Sequence, residues 1–212
     1  MPNDNEFKTI EEQITILRSR GLTIANENVA RIFLLHHNYY RISGYSLTLR
    51  KNDHFFPGTT FQNIVDIYHF DQELRHILLQ YLEIIEVKMK SIYAYEFTKA
   101  HGATGYLNSS FFTSQEKYDK LRIKSESQKS LRLPHEAYLK HYINDLQKDI
   151  PLWAYVDLFT IADISILYSI SELSVQKAVA DRFGLTMVRG SDLLGKLMHS
   201  MAIIRNLCAH GS

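Results

Sequence analysis

The sequence predicts an all-α protein, a helical bundle built around one long central helix. Three observations lead to this prediction. Glycine and proline, which interrupt helices, are scarce, at nine and four of 212 residues. Apolar residues recur at three- and four-residue spacing, whereas the strict alternation typical of strands is hard to find. One stretch, from Phe61 to about Lys99, has helical signals along its whole length.

The composition indicates a globular protein that does not span a membrane. Hydrophobic residues make up 45% of the chain and charged residues 22%, which is enough apolar surface for a core. No run of about 18 uncharged apolar residues is present. The single cysteine, Cys208, excludes an intramolecular disulfide, and the N-terminus is polar and acidic, unlike a signal peptide. We therefore expect a cytoplasmic protein.

Residues 1–58 are predicted to form an N-terminal helical segment. Thr9 and Glu12 fit a capping box, and Gly21 is well placed to end the first helix. A second helix is expected from Asn28 to His37. The next stretch, Asn38 to Tyr45, lacks helical periodicity and is expected to be a turn or a short extended piece.

A loop from Lys51 to Gly58 leads into residues 59–212, the predicted bundle, and we expect both segments to form one compact unit. Thr59 and Gln62 are predicted to cap the long helix. Its apolar residues lie on nearly every side, which is typical of a central, buried helix.

The remainder of the chain is predicted to be helical as well. Thr113 and Glu116 fit the start of a helix that stops near Pro134. Four further helices are expected: His135–Lys148, Leu152–Leu173, Ser174–Phe183 and Asp192–Ala209.

The last predicted helix contains the residues best suited to chemistry. Arg205 lies at the edge of its predicted apolar stripe, and Asn206 and His210 share the opposite, polar face. The residues expected to form the buried stripe are Leu194, Leu197, Met201, Ile204 and Cys208. A guanidinium at the rim of an apolar stripe needs an anionic partner, because burying it unpaired is costly. Spacing alone leaves two interpretations open: Arg205 binds a carboxylate such as Glu83 or Glu86, or it binds a phosphate together with His210.

Several stretches of the sequence resemble one known family. The segment from Arg205 to His210 resembles the motif of HEPN domains, an arginine followed after four to six residues by a histidine. Four other stretches resemble the Abi-like family of the abortive-infection D/F type, in family order: Arg20–Ile24, Asn38–Tyr45, Leu82–Val87 and Pro151–Ala154. The resemblance implies a HEPN-like bundle with an N-terminal helical extension. It also leads us to expect arginine-containing helical residues after the histidine, whereas this sequence ends at Ser212.

The resemblance implies a toxin-like, metal-independent endoribonuclease of a phage-defence system. A histidine side chain, which titrates near pH ~6.5, is suited to moving a proton, and RNA supplies its own nucleophile, the 2′-hydroxyl. Arg205 would bind the phosphate, His210 would transfer the proton, and Asn206 would orient His210 or donate to the phosphate. The expected products are a 2′,3′-cyclic phosphate and a 5′-hydroxyl, and no cofactor is required.

The partners follow from the same resemblance. Arg205 and His210 project about 140° apart on one helix, so a symmetric homodimer is the natural way to build a composite site. An antitoxin, either protein or RNA, is expected to hold the toxin in check. The alternative function is a non-catalytic HEPN-type module that binds RNA or another protein, and the formal net charge of only +1 favours it.

Two other segments are candidate RNA contacts. Tyr39, Tyr40 and Arg41 place two aromatic rings beside a cation, a combination that stacks a base and holds a phosphate. The alternative is that the tyrosines pack against the long helix while Arg41 binds a carboxylate. Between Lys117 and Lys140, cations outnumber carboxylates, as either a solvated helix face or an RNA-facing patch.

No metal or nucleotide motif accompanies these candidates. His69 and His76 are seven residues apart on a helix, yet no carboxylate or cysteine completes a zinc site there. The sequence has no glycine-rich phosphate loop. We therefore predict neither a metal site nor a nucleotide cofactor.

Overall fold

A computed structural model of the chain describes residues 6–210. The predicted all-α class is confirmed, because helices dominate and the described strands are two residues long. The chain forms two compact units that divide between His76 and Ile77. This division lies inside the long helix, whereas the boundary predicted from the sequence lies in the loop before it. None of the described helices is both long enough and apolar enough to cross a membrane.

The first unit contains three short helices, a small hairpin and the start of the long helix. Its elements are α1 (Ile10–Ser19), α2 (Glu27–His37), α3 (Tyr39–Tyr45), a 3-10 turn (Leu47–Leu49), β1 (Arg50–Lys51), β2 (His54–Phe55) and the first part of α4 (Phe61–His101). Helix α1 begins with the predicted capping box, in which the Thr9 amide donates to Glu12 Oε2 at 2.7 Å. Gly21 follows the helix with a φ of +88°, which only glycine adopts readily. The core of this unit includes Ile14, Ala30, Leu34, Ile42 and Ile64.

Residues Tyr39–Tyr45 form helix α3, so the prediction of a turn or extended piece was wrong. Asn38 has a φ of 60°, which ends α2. Its side chain then accepts a hydrogen bond from the amide of Tyr40 at 2.9 Å and caps the new helix. The helix has only one buried residue, Ile42, so its sequence shows no apolar period.

The predicted loop from Lys51 to Gly58 contains all of a short hairpin except its first residue, Arg50, so the prediction was wrong in this part. Strands β1 and β2 pair antiparallel. Asn52 and Asp53 join them, with φ values of 51° and 62°. Two residues at positive φ make the turn whose twist matches that of the flanking strands. A hairpin this short leaves no alternating pattern in the sequence.

The second unit contains the rest of α4 and all the helices that follow. Its further elements are two 3-10 turns (Gly105–Leu107 and Ser109–Phe111), α5 (Gln115–Arg132), α6 (Ala137–Lys140), a π-helical segment (His141–Asp145), α7 (Leu152–Tyr155), a 3-10 turn (Val156–Leu158), α8 (Ile161–Ile170), α9 (Leu173–Arg182) and α10 (Gly190–His210). Helix α8 is buried on nearly all sides and packs against α5 and α10.

Helix α4 runs unbroken but is not buried on every side, so that part of the prediction was wrong. Its exposed residues include six large apolar side chains, Leu74, Ile77, Tyr81, Ile84, Val87 and Tyr95. The predicted cap is also displaced by one residue. Thr60 and Asn63 bind each other at the start of the helix, whereas Thr59 binds the carbonyl of Phe56.

Three helix boundaries of the second unit differ from the prediction. Ser114 caps α5 through the amide of Lys117, because Thr113 is bound to the carbonyl of Ile170. The predicted helix over residues 135–148 is the short α6 followed by the π-helical segment. The predicted helix over residues 152–173 is divided into α7, a 3-10 turn and α8.

Asp163 explains where α8 begins. Its carboxylate accepts from the amide of Thr160 at 2.9 Å, and the Thr160 hydroxyl accepts from the amide of Asp163 at 3.3 Å. The same carboxylate binds Lys124 Nζ of α5 at 2.7 Å, and the Asp163 side chain is only 5% exposed. Asp163 therefore caps α8 and joins it to α5.

We expect Asp163→Ala to lower the free energy of unfolding by about 2–3 kcal/mol, because it removes a helix cap and leaves Lys124 without its carboxylate. Urea unfolding followed by circular dichroism measures the change. The matched control is Asp119→Ala on the exposed face of α5, with an expected effect below about 0.5 kcal/mol. Equal losses in both variants would contradict the role given to Asp163.

Candidate functional site

Helix α10 places Arg205 on its buried side. The buried residues of this helix are Gly190, Ser191, Leu194, Met198, Ala202 and Cys208. Arg205 follows Met198 by two helical turns, so it lies in line with this stripe. The sequence predicted it at the edge of the stripe, and that prediction was wrong. The Arg205 side chain is half-buried.

The predicted composition of the stripe was partly wrong. Leu194 and Cys208 are buried and Met201 is half-buried, whereas Leu197 and Ile204 are 39% and 40% exposed. The reason is that α10 has two apolar faces, and spacing along the helix does not show which one packs. Contacts with α8 and α9 decide this.

The second apolar face of α10 is open to solvent. Its members are Leu193, Leu197, Ile203, Ile204 and Leu207. His210 lies about 90° from the centre of this face, and Arg205 lies about 130° from it on the other side, towards the buried stripe. The sequence indicated a second apolar face, since four of these residues recur at helical spacing. The sequence-based prediction instead assigned two of them, Leu197 and Ile204, to the buried stripe.

Arg205 has no acidic partner among residues 6–210. Its Nη1 donates to Asn206 Oδ1 at 3.3 Å, and no described carboxylate lies within ion-pair distance. Of the two candidate carboxylates, Glu86 binds Lys90 at 2.8 Å and Glu83 is exposed. The carboxylate interpretation of Arg205 is therefore not supported by any ion pair among the described residues.

Asn206 and His210 are both exposed on the polar face of the helix. Within the described chain, the His210 ring forms no hydrogen bond. Because Arg205 and His210 project about 140° apart, one copy of α10 does not direct both side chains at the same phosphate.

Tyr39, Tyr40 and Arg41, the residues of the first unit predicted to contact RNA, lie in three different environments. Tyr40 is 85% exposed. Tyr39 packs against the apolar cluster of its unit, and its hydroxyl accepts from Arg20 Nη1 at 3.5 Å. Arg41 is half-buried, with its guanidinium 5.9 Å from the centre of the Tyr68 ring.

Arg41 also lies beside an ionised carboxylate. Burial opposes ionisation of Asp71, but hydrogen bonds from Tyr45 and Arg75 outweigh it and hold the pKa of Asp71 below its ordinary value, and the charge of Arg41 contributes. The Tyr45 hydroxyl donates to Asp71 at 2.6 Å. Tyr40 is thus the member of the trio that faces solvent, and the cavity beside it is lined by Glu6 as well as by Lys8 and Arg20.

Most cations of the basic segment have acidic partners. Lys120 binds Glu116 and Arg132 binds Glu136, at 2.6 and 2.8 Å, while Lys124 binds Asp163. Arg122 and Lys129 share one carboxylate, that of Glu126. Within the described part of the chain, no three His, Cys, Asp or Glu side chains lie close enough together to hold a metal ion.

Comparison with protein families gives one match. The model of the family described as Abi-like protein matches residues 32–212. Neither the curated proteins nor the solved structures give a significant match. The family match covers most of the chain, from within α2 through Arg205 and His210, and shows that the chain belongs to the Abi-like protein family.

Proposed function

We propose that this protein is a toxin-like, metal-independent endoribonuclease of an abortive-infection system. The proposal rests chiefly on Arg205, which is half-buried and has no carboxylate partner among the described residues. A guanidinium in this position favours an anion such as a phosphate. Membership of the Abi-like family and the arginine-to-histidine spacing support a HEPN-type reaction on RNA.

The reaction follows from the residue types. The imidazole of His210 removes the proton of the 2′-hydroxyl, whose oxygen attacks the neighbouring phosphorus. The bond from phosphorus to the 5′ oxygen breaks, and that oxygen takes up a proton from a protonated histidine. Arg205 stabilises the negative charge that builds up on the phosphate oxygens, and Asn206 orients His210 or donates to the phosphate. The products are a 2′,3′-cyclic phosphate and a 5′-hydroxyl.

A homodimer is the proposed assembly, because one helix directs Arg205 and His210 apart. The open apolar face of α10 supports a second copy as the partner. Contact through this face would place His210 of each copy beside the second copy, whereas Arg205 lies farther round the helix, towards the buried stripe. An antitoxin, protein or RNA, would restrain the enzyme by covering or separating these groups.

The second candidate is a non-catalytic module that binds RNA or another protein. The observation in its favour is His210, whose ring is exposed and has no hydrogen-bond partner in the described chain to orient it. General bases are normally held by a second group. The same exposed apolar face of α10 would then serve binding alone.

We expect Arg205→Ala and His210→Ala each to lower RNA cleavage by at least about 100-fold, because each removes a group that acts on the phosphate or its proton. Asn206→Ala is expected to cost about tenfold. Purified protein is incubated with mixed RNA in EDTA, and the fragment ends are analysed for cyclic phosphate. His199→Ala is the matched control, since His199 is exposed on the same helix. A wild type that binds RNA without cutting it would favour the module, and an undiminished His210→Ala would reject the mechanism.

A composite site makes a specific prediction for mixed dimers. Arg205→Ala and His210→Ala, each inactive alone, should regain about a quarter of wild-type cleavage when they are refolded together. Half of the dimers are then mixed, and each mixed dimer has one intact pair of groups. The two variants refolded separately and then combined without exchange serve as the control. No recovery in mixed dimers of proven composition would exclude a site shared between two copies.

Tyr40 is the proposed RNA contact in the first unit. We expect Tyr40→Ala to weaken binding of single-stranded RNA about tenfold, because it removes an exposed ring on which a base stacks. Fluorescence anisotropy with the inactive His210→Ala background measures binding without cleavage. Tyr81→Ala, which removes another exposed ring, is the control. Equal affinities for the Tyr40 variant and the parent would remove Tyr40 from the RNA-binding surface.

A further inference from the structure

A cavity of about 870 Å³ opens in the second unit, beside α5 and the segment that follows the π helix. Its charged lining consists of Arg122, Glu126, Lys129, Lys148 and Asp149. Pockets of a few hundred to about 1,000 Å³ are typical of small-molecule sites. No residue of α10 lines this cavity, so it is separate from the candidate site at Arg205.

The cavity has an excess of positive charge. Arg122 Nη2 lies 3.1 Å from Glu126 Oε1, and Lys129 contacts the same carboxylate. Two cations therefore share one anion, with the side chains of Arg122 and Lys129 only 25% and 27% exposed. Lys148 and Asp149 add one charge of each sign. A partly buried, unmatched positive charge favours the binding of an anion.

Glu126 stays ionised, so this count of charges holds at neutral pH. Burial opposes ionisation of its carboxyl group, but hydrogen bonds from Lys129 and Tyr155, together with the charges of Lys129 and Arg122, outweigh burial. The pKa of Glu126 is consequently below its ordinary value.

Arg122 is held in place by aromatic side chains. Its guanidinium lies 5.7 Å from the centre of the Tyr106 ring and 5.6 Å from that of Tyr155. Its Nη1 also donates to the Tyr155 hydroxyl at 3.2 Å. Burial raises the pKa of Tyr155 to about 12, so the phenol stays neutral. A planar cation fixed before binding loses little freedom when it meets a phosphate.

The backbone at the edge of the cavity is irregular. The π-helical segment His141–Asp145 immediately precedes it, and Gln147, which lines it, has a φ of 49°. The amide of Lys148 donates to the carbonyl of Tyr142 at 3.0 Å and holds this conformation. π-helical turns and non-glycine residues at positive φ occur preferentially at functional sites.

We propose that this cavity binds one nucleotide, its phosphate on Arg122, Lys129 and Lys148, and its nucleoside against the apolar wall. That wall is formed by Leu107, Leu133, Ile143 and Ile150. The nucleotide is either free or one unit of single-stranded RNA, since both present the same chemistry. The RNA source rests on the proposed function, whereas binding of a free nucleotide does not.

The test is calorimetric titration of the full chain with AMP and, separately, with adenosine. AMP should bind saturably and at least about tenfold more tightly than adenosine, because only AMP offers a phosphate to the cations. Lys129→Gln and Lys148→Gln should each weaken AMP about tenfold. Lys120→Gln, on the exposed face of the same helix α5 as Lys129, should leave the affinity unchanged.

Glu126→Gln gives a result of the opposite sign. It removes the carboxylate that competes with the phosphate for Arg122 and Lys129, so AMP should bind several-fold more tightly. An unfolded variant does not produce tighter binding, and circular dichroism confirms the fold of each variant. Absence of saturable AMP binding, equal affinity for adenosine, or equal losses in Lys120→Gln and Lys129→Gln would overturn the proposal.

The source of the nucleotide is decided by competition. A fluorescent AMP analogue is bound to the His210→Ala variant, which leaves RNA uncut, and oligoadenylate is added. Displacement identifies the cavity as an RNA subsite, and retention identifies a free nucleotide as the ligand; either result upholds the site. Because the readout is binding, failure of this inference and failure of the proposed cleavage at Arg205 and His210 are told apart.

Discussion

Helix α8 has apolar side chains around almost its whole circumference, and the arrangement of the second unit depends on burying them. Ile161, Ile164, Leu167 and Ile170 are all buried. Leaving such a helix in water would forfeit several kcal/mol of hydrophobic free energy. Helices α5 and α10 pack against it. Its start is fixed by the capping box of Thr160 and Asp163, and the buried Asp163 carboxylate also binds Lys124.

The orientation of α10 follows from this packing. Because the face with Met198 and Ala202 turns inward, Arg205 becomes half-buried and the other apolar face turns to solvent. Both features bear on the proposed function. The first leaves a guanidinium without a carboxylate among the described residues, and the second provides a surface for a second copy. The proposed site therefore depends on which of the two apolar faces of α10 is buried.

The same packing also determines which cations of the basic segment of α5 are paired. Lys124 is committed to Asp163, and other cations of this helix bind carboxylates nearby in sequence. Along the described helix α5, Glu126 is the carboxylate that two cations share, and it lies where a cavity opens. The composition left open a solvated face or an RNA-facing patch. In the structure, most cations of this segment are paired with carboxylates, and positive charge is in local excess beside Glu126.

Much of the structure could be predicted because its signals are local. The all-α class, the capping box at Thr9, the end of α1 at Gly21 and the spacing of Arg205, Asn206 and His210 depend on residues within a few positions of one another. Helix α3 and the cap of α5 were misjudged where a single side chain, Asn38 or Ser114, decided the boundary.

Other features were decided only by the tertiary structure. The sequence by itself determined the helical class, the family resemblance and the residue types available for RNA chemistry, since periodicity, caps and motifs are properties of neighbouring residues. It did not determine which face of α10 is buried or whether a carboxylate binds Arg205. Nor did it determine that Arg122 and Lys129 both bind Glu126 beside a cavity. These depend on contacts between segments far apart in the chain, and the free energy of burial selects among the faces that local patterns leave equivalent.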